Sequence, residues 1–398
     1  MKRVYLDHAA ATPVRPEVLE AMLPYFTERF GNPSAVYDLG SQVKETMEEQ
    51  RAKVARLIGA QKDEIVFTSS GAEANNLAIK GAALANLFKK EAKHLIVSAV
   101  EHHSVLNAAR FLEKFFDFEV TFLPVDRHGL VDPERLKKFL SPATVLVSVQ
   151  HASNEIGTIQ PIAELAGICR AAGVLFHTDA VASAGNIPVD VKELQVDLLS
   201  LSGPALGAPK GIGALYFRNK LRLVPQIHGG IQESGRRGGT ENVPGIVGLG
   251  RAAELAATEL EARSRHLAGL RVQLAAGIGQ AIAETIYTGH PVNRLPNLAS
   301  FCIAGIEGEA LLFMLSRRGI YANTGSACAS KALKTSPVLT AIGVPPELAQ
   351  GSIVFTLNQD NREDEVRYVL EELPPAVEKL RSFSPVWHKK LAAAGGAR

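Results

Sequence analysis

The chain has 398 residues, and its 43 basic and 41 acidic side chains give a formal net charge of +2. With 46% hydrophobic residues it can bury a sizeable core, while the near-zero charge and the lack of long apolar or basic stretches argue against membrane insertion and nucleic-acid binding. Its three cysteines are too few for a disulfide framework, so we expect a cytoplasmic protein.

Helical patterns open the chain, and an alternation of strands and helices follows. The first helices are predicted in RPEVLEAMLPYFTERF (15–30) and SQVKETMEEQRAKVARLIG (41–59). From about residue 60, seven short apolar runs alternate with helical patterns: EIVFTSS, HLIVSAV, VTFLPVD, TVLVSVQ, VLFHTDAV, DLLSLSG and IGALYFR. Because these runs are apolar on both faces, they predict an α/β fold with a mostly parallel seven-stranded sheet flanked by helices.

The pattern changes after GTENVPGIVGLG (239–250). A long amphipathic stretch continues to about residue 283, and the strand patterns LASFCIAGI and SIVFTL follow it. This order predicts a smaller α+β domain joined to the sheet domain by a long helix. We place the large domain at residues 15–257 and the small domain at residues 1–14 and 258–398.

The stretch FTSSGAEANN (67–76) is a strand that ends in a turn of small residues before a helix. Ser70 and Gly71 lie at the start of that helix, where free backbone amides and the helix dipole favour an anion such as phosphate. The alternative is an ordinary serine cap of a helix, which needs no ligand.

Two further strand ends carry side chains suited to a flat cofactor. His102, in VEHHSVL, follows a strand and would face the ligand crevice of a parallel sheet, where an imidazole can stack on an aromatic ring. Asp179, in HTDAVASAG, ends an apolar strand and needs a partner there, such as a pyridinium nitrogen. The alternatives are a packed or solvated histidine and an aspartate that caps a helix.

The cysteines differ in their surroundings. Cys328, in NTGSACAS, lies among small residues that leave a thiol accessible, the setting of a transfer nucleophile. Cys169 and Cys302 lie within apolar patterns and are predicted to be buried. Cys328 is therefore the predicted reactive thiol.

Together these motifs resemble the cysteine desulfurases of the NifS/IscS type, which belong to the class V aminotransferases. The resemblance runs in order through YLDHAAATPVRPEV, FGNPSAV, FTSSGAEANN, SAVEHHSV, NEIGTIQP, HTDAV, GGTENVPGIVG and TGSACAS, nearly the whole chain. It implies the fold-type I architecture of enzymes that use pyridoxal phosphate (PLP). It also implies a homodimer with a cofactor site in the large domain and a cysteine loop in the small one.

In that family a lysine holds PLP as a Schiff base, cysteine is the substrate, and the loop cysteine takes up its sulfur. The resulting persulfide supplies iron–sulfur cluster assembly or tRNA thiolation. The resemblance implies these roles: His102 stacks on the ring, Asp179 contacts the pyridine nitrogen, Asn154 lies near the ring oxygen, Ser202 contacts phosphate, Thr240 contacts phosphate from the other subunit, and Cys328 carries the persulfide.

The departures from the family pattern fall on one site. Ala205 stands at the position of the lysine and Pro204 at that of a phosphate-binding histidine. Ala182 replaces a glutamine at the ring oxygen, and Ala72 replaces a phosphate-binding threonine. Gln359 replaces the arginine that grips the substrate carboxylate. The losses concern the cofactor and the substrate, while the thiol loop is kept.

The sequence thus predicts a desulfurase-like pseudoenzyme without covalently bound PLP. Cys328 would carry a persulfide or ligate an iron–sulfur cluster at the interface with a scaffold or sulfur-acceptor protein. Two alternatives stay open: an active desulfurase or lyase with weakly, non-covalently held PLP, and a pocket that binds a different small molecule. Lys210, in the turn GAPKG, is not expected to replace the missing lysine.

Overall fold

The computed structural model describes residues 2–87, 92–325 and 335–395. The described strands are β1 (Val4–Tyr5), β2 (Ile65–Thr68), β3 (His94–Ser98), β4 (Glu119–Leu123), β5 (Thr144–Ser148), β6 (Leu175–Asp179), β7 (Leu198–Ser202), β8 (Gly213–Phe217), β9 (Thr285–Tyr287), β10 (Leu298–Ile303), β11 (Ile320–Tyr321) and β12 (Ser352–Thr356). The described helices are α1 (Pro16–Met22), α2 (Pro24–Thr27), α3 (Asp38–Leu57), α4 (Gly71–Leu87), α5 (His103–Phe116), α6 (Pro133–Phe139), α7 (Ile162–Ala171), α8 (Val191–Leu194), α9 (Gln232–Gly235), α10 (Val243–Ala281), α11 (Gly308–Ser316), α12 (Pro337–Ala341), α13 (Pro346–Ala349), α14 (Glu363–Ser382) and α15 (Pro385–Gly395).

A seven-stranded sheet forms the centre of the fold, in the order β2-β8-β7-β6-β5-β3-β4. Strand β8 is antiparallel to both of its neighbours, and the other four pairings are parallel. Successive residues of a strand enter different cores: Val147 packs on one face of the sheet and Leu146 on the other. The predicted seven strands and their mostly parallel arrangement are confirmed.

The long helix α10 links two hydrophobic cores. Its first half packs against α3 and α1 over one face of the sheet, where Ile246 and Leu249 are buried. Its second half contributes Leu267, Leu270 and Leu274 to a second core. The side chain of Asn242 caps the helix start by accepting a hydrogen bond from the amide of Gly245 at 3.2 Å.

The second core is built on two small sheets. Strands β12, β10 and β9 form an antiparallel sheet in that order, and β1 pairs in parallel with β11. The predicted strands in LASFCIAGI and SIVFTL are confirmed as β10 and β12. The domain bounds themselves stay a prediction, because α10 runs through residues 257 and 258 without a break. Among the described helices, none has the length and apolarity needed to cross a membrane.

Candidate active site

The carboxyl ends of the parallel strands bring the predicted site residues to one edge of the sheet. Asp179 is the last residue of β6, Ser202 the last of β7, and His102 directly precedes α5. Parallel strands point the same way, so residues that follow them share a crevice. The arrangement is therefore the one in which α/β proteins bind ligands.

Asp179 is a buried carboxylate held by two donors. Its side chain is 6% exposed, Oδ1 accepts from the amide of Val181 at 2.9 Å, and Oδ2 accepts from Nδ2 of Asn75 at 2.7 Å. Burial raises the pKa of Asp179, against the lowering effect of these hydrogen bonds and of the His102 charge. A carboxylate keeps further lone pairs when two donors are bound, so Asp179 can accept another proton-bearing group.

A chain of hydrogen bonds joins Asp179 to His102. Nδ2 of Asn75 also donates to Oγ of Ser104 at 2.8 Å, and Oγ of Ser104 lies 2.7 Å from Nδ1 of His102. Nδ1 of His102 accepts from the amide of Ser104 at 3.2 Å as well, so the imidazole caps α5. The two predicted ring-contacting residues are thus brought together, through Asn75 and Ser104, to which the sequence motifs assigned no role.

Three of the predicted phosphate residues, Ser70, Gly71 and Ser202, lie together at the start of α4. Oγ of Ser70 accepts from the amide of Glu73 at 3.1 Å, so Ser70 also acts as an ordinary cap. A Cβ atom added to Gly71 would lie 2.7 Å from Cγ2 of Val181 and 3.2 Å from Cβ of Ser202, so the helix start packs directly against the end of β7. Ala72 is exposed and presents no hydroxyl to this corner.

A cavity lies where the cofactor anchor would stand. Its lining includes His8, Asn154, Ala182, Ala205, Arg263 and Asn297. Ala205 belongs to the single turn Pro204–Leu206 that follows β7. None of the described lining residues is a lysine, and Lys210 is an exposed residue outside the lining.

Arg263, from the middle of α10, is another site residue that sequence reasoning missed. It is 7% exposed, and Nη1 donates to Oε1 of Gln359 at 3.4 Å. Its Nη2 donates to the carbonyl of Gly185 and to Oδ1 of Asn186. Burial lowers the pKa of Arg263 to about 10, which leaves it charged at neutral pH. The sequence did contain a signal for Arg263: it is a charged residue on the apolar stripe of the long helix, the stripe that also contains Leu267 and Leu270.

Two predicted residues lie away from this cluster. Thr240 is exposed on the segment before α10, and its role in the site of a second subunit stays a prediction. Cys328 lies outside the described residues. Gly325 and Ser336 lie on either side of residues 326–334, the stretch that contains Cys328. Oγ of Ser336 donates a hydrogen bond to the carboxyl of Glu155, and a Cβ atom added to Gly325 would lie 3.2 Å from the same carboxyl. Cys169 and Cys302 are buried as predicted, and burial raises the pKa of each thiol to about 12.

The residues present fit one part of the implied PLP cofactor and not another. The buried carboxylate of Asp179 suits a pyridine nitrogen, and the adjacent His102 suits the face of a ring. Ala205 and Ala182 offer neither a covalent link nor a hydrogen bond from their side chains. The site therefore fits the ring of the cofactor and does not fit its covalent attachment.

Comparison with known proteins gives the family. Residues 4–369 match the family model described as aminotransferase class-V. The chain is 50% identical to a cysteine desulfurase IscS of Methanosarcina thermophila over 98% of this chain and 95% of that protein. It is also 50% identical to a cysteine desulfurase IscS of Dictyoglomus turgidum, over 97% of each.

Comparison with solved structures indicates the same family. A NifS-like protein superposes with a TM-score of 0.88 at 37% identity, covering 95% of this chain and all of that chain. A structure of SspA in complex with cysteine superposes with a TM-score of 0.79 at 36% identity, covering 89% of this chain and 99% of that one. The chain belongs to the class-V aminotransferase family, and within it to the PLP fold-type I group of NifS/IscS-type cysteine desulfurases.

Proposed function

We propose that this protein is a desulfurase-like pseudoenzyme that handles sulfur or iron–sulfur clusters through the thiol of Cys328, without normal PLP-dependent desulfuration. One observation carries the proposal: Ala205, at the lysine position, lines the cavity beside Ala182, and no described residue of that lining carries an amine. The side chain of Ala205 is a methyl group, so no change in its position can supply the missing amine.

PLP, when bound, supplies an electron sink for the carbon next to an amino group. In this chain Asp179 and His102 would hold the ring, with Asn154 near its oxygen, and Ser70, Gly71 and Ser202 would hold the phosphate. None of these side chains is an amine that could take a proton from the substrate α-carbon. The expected consequence is at most weak, non-covalent PLP binding without efficient turnover.

The thiol of Cys328 can act without the cofactor when another molecule supplies sulfane sulfur. In that step the thiolate attacks the outer sulfur of a persulfide RSSH, the S–S bond breaks, and RSH leaves with the proton. Cys328 then carries the persulfide, and no net oxidation or reduction occurs. A partner protein of the iron–sulfur scaffold or sulfur-acceptor type would receive this sulfur, or would share an iron–sulfur cluster ligated by Cys328.

The test is a persulfide assay with two donors. Purified protein is incubated with L-cysteine or with glutathione persulfide, and sulfide release and mass of the Cys328 peptide are measured. We expect persulfide on Cys328 from glutathione persulfide and no sulfide above background from L-cysteine. Cys328→Ala should lose the persulfide, whereas Cys302→Ala should keep it, because Cys302 is buried. Unchanged labelling of Cys328→Ala would contradict the proposal.

The second candidate is an active desulfurase with non-covalently held PLP. It is favoured by the intact chain from Asp179 through Asn75 and Ser104 to His102, and by the bound cysteine named for the SspA structure. Robust sulfide release from L-cysteine in the presence of added PLP would establish this candidate and overturn the first. The homodimer and the cytoplasmic location are also proposals.

A further inference from the structure

The backbone amide of Ser104 fixes which nitrogen of His102 is unprotonated. An amide N–H can only donate, and this one lies 3.2 Å from Nδ1 of His102. Nδ1 is therefore an acceptor with a lone pair, and the neutral imidazole must carry its proton on Nε2. Nε2 makes no hydrogen bond within the described structure, and His102 is exposed.

The hydrogen bonds that start at Asp179 have the same polarity. A carboxylate can only accept, so Nδ2 of Asn75 faces it at 2.7 Å. The second proton of that amide goes to Oγ of Ser104 at 2.8 Å. The hydroxyl proton of Ser104 is then left to donate to Nδ1 of His102 at 2.7 Å. Two donors with independent origins therefore meet on one lone pair.

We infer that Asn75 and Ser104 are positioning residues that hold His102 as the neutral tautomer with its proton on Nε2. The imidazole then presents a hydrogen-bond donor to the crevice, while its only lone pair faces Ser104. His102 can donate to an acceptor atom of a ligand and can stack on a ring, but it cannot take a proton from the ligand. This deepens the proposed function, on which its meaning for catalysis rests: the site lacks an amine, and its imidazole is no base.

The charged groups around His102 favour the same neutral state. Desolvation by the surrounding protein lowers the pKa of His102, against the opposing charge of Asp179 at the end of β6, and His103 lowers it further. Burial raises the pKa of Glu101, the preceding residue, well above its usual range, which limits the negative charge near the ring. Protonation at Nδ1 would also displace both donors of Ser104.

An ordinary capping role for His102 predicts something different. A histidine that only caps α5 needs the backbone amide of Ser104, and it needs neither the hydroxyl of Ser104 nor the side chain of Asn75. Removal of either group would then leave the imidazole as reactive as before. The reactivity of the His102 lone pair is therefore the informative measurement.

The experiment is modification of the purified full chain with diethyl pyrocarbonate, which acylates the lone pair of an unprotonated imidazole. Peptide mass spectrometry gives the rate at each histidine. His266 is the internal reference: it is exposed, and its Nε2 donates to the carbonyl of Asn361 at 2.9 Å, but its Nδ1 makes no hydrogen bond in the described structure. We expect His102 to react at least about tenfold more slowly than His266, because two hydrogen bonds protect its lone pair.

Ser104→Ala should speed the modification of His102 about two- to tenfold, because one of the two hydrogen bonds to Nδ1 is lost. Ser104→Thr keeps the hydroxyl and should keep the slow rate. Asn75→Leu should also speed the reaction, since the amide no longer orients the hydroxyl of Ser104. Asn76→Leu is the matched control, because the side chain of Asn76 bonds only to the carbonyl of Ala72 in the described structure. Its His102 rate should equal that of the wild type.

Modification of His102 as fast as that of His266 in the wild type would overturn the inference, even if no variant folds. An unchanged His102 rate in folded Ser104→Ala would also overturn it, because something other than these hydrogen bonds would then protect the ring. The persulfide assay on Cys328 is a separate measurement. Its failure would refute the proposed function and leave the tautomer of His102 unaffected, and the reverse result is equally distinct.

Discussion

At the scale of single residues, Glu155 connects the cavity region to the stretch that contains Cys328. Its Oε2 accepts a hydrogen bond from Oγ of Ser336 at 2.5 Å, and a Cβ atom on Gly325 would lie 3.2 Å from the same oxygen. Gly325 and Ser336 flank residues 326–334. Burial raises the pKa of Glu155 to about 7, although the Ser336 hydrogen bond lowers it.

Glu155 should therefore make stability depend on pH. Its unfolded pKa is near 4.5, so between that value and about pH 7 the folded protein binds more protons. The stabilising contribution is complete below pH 4.5 and is lost as the pH rises through 7. We expect Glu155→Gln to remove this loss and to be about 1–2 kcal/mol more stable than the wild type at pH 8.

Urea unfolding of both proteins from pH 4.5 to 8 measures the effect. The control is Glu261→Gln, because Glu261 is exposed on α10 and its side chain pairs with an equally exposed arginine. Parallel pH curves for the wild type and Glu155→Gln would rule out the titration of Glu155 in this range.

At the scale of the element, two glycines of α10 separate the effect of helix packing on stability from the effect of helix propensity. Gly269 is exposed, and an added Cβ would meet no atom within 4 Å. Gly250 is buried against α3, where an added Cβ would lie 2.9 Å from Cα of Gln50 and 2.6 Å from its Cβ. Backbone atoms cannot move aside as a long side chain can, so the tight approach of α10 and α3 requires glycine at 250.

Gly269→Ala should raise the free energy of unfolding by about 0.5–1 kcal/mol, because alanine has the better helix propensity. Gly250→Ala should lower it by about 1–3 kcal/mol, because it forces the two helices apart. Thermal and urea denaturation of the two variants provide the comparison. Stabilisation by both substitutions would show that α10 does not pack on α3 as described.

At the scale of the whole molecule, exposed apolar side chains support the proposed homodimer. Val36 is 99% and Ile231 is 89% exposed, and both line one surface cleft with Pro33. Phe26 and Phe30, from the segment that leads to Val36, are more than half exposed. Apolar exposure of this kind marks interaction surfaces. Ile231 also lies on the segment that leads to Thr240, which the resemblance places at the site of the other subunit.

Ile231→Asp should weaken the homodimer. Light scattering after size exclusion should give twice 42.6 kDa for the wild type and a mass approaching 42.6 kDa for the variant. Val272→Asp serves as the control, since Val272 is half exposed on the outer side of α10. A dimer that dissociates in both variants, or in neither, would place the interface elsewhere.

Much of the fold could be predicted from local patterns. Six of the seven central strands were recognisable because residues on both faces are mostly buried, which leaves apolar runs such as VLV within TVLVS. The edge strand β4 differs, since Glu119 and Phe122 are exposed. Asp179 and His102 were recognisable because they follow strands that must end at one edge. Asn75 and Ser104 were not assigned roles, since both lie in the first turns of helices and nothing in the local sequence shows that Asn75 reaches Ser104 and Asp179.

The sequence by itself determined what chemistry is missing: no fold can supply an amine from Ala205 or a guanidinium from Gln359, because these are covalent properties of side chains. Only the tertiary structure decided what stands in their place. Arg263 is 96 residues from Gln359 and 78 from Gly185, and it reaches both because α10 packs beside the turn after β6. Such a contact depends on the packing of distant elements, which no local pattern records.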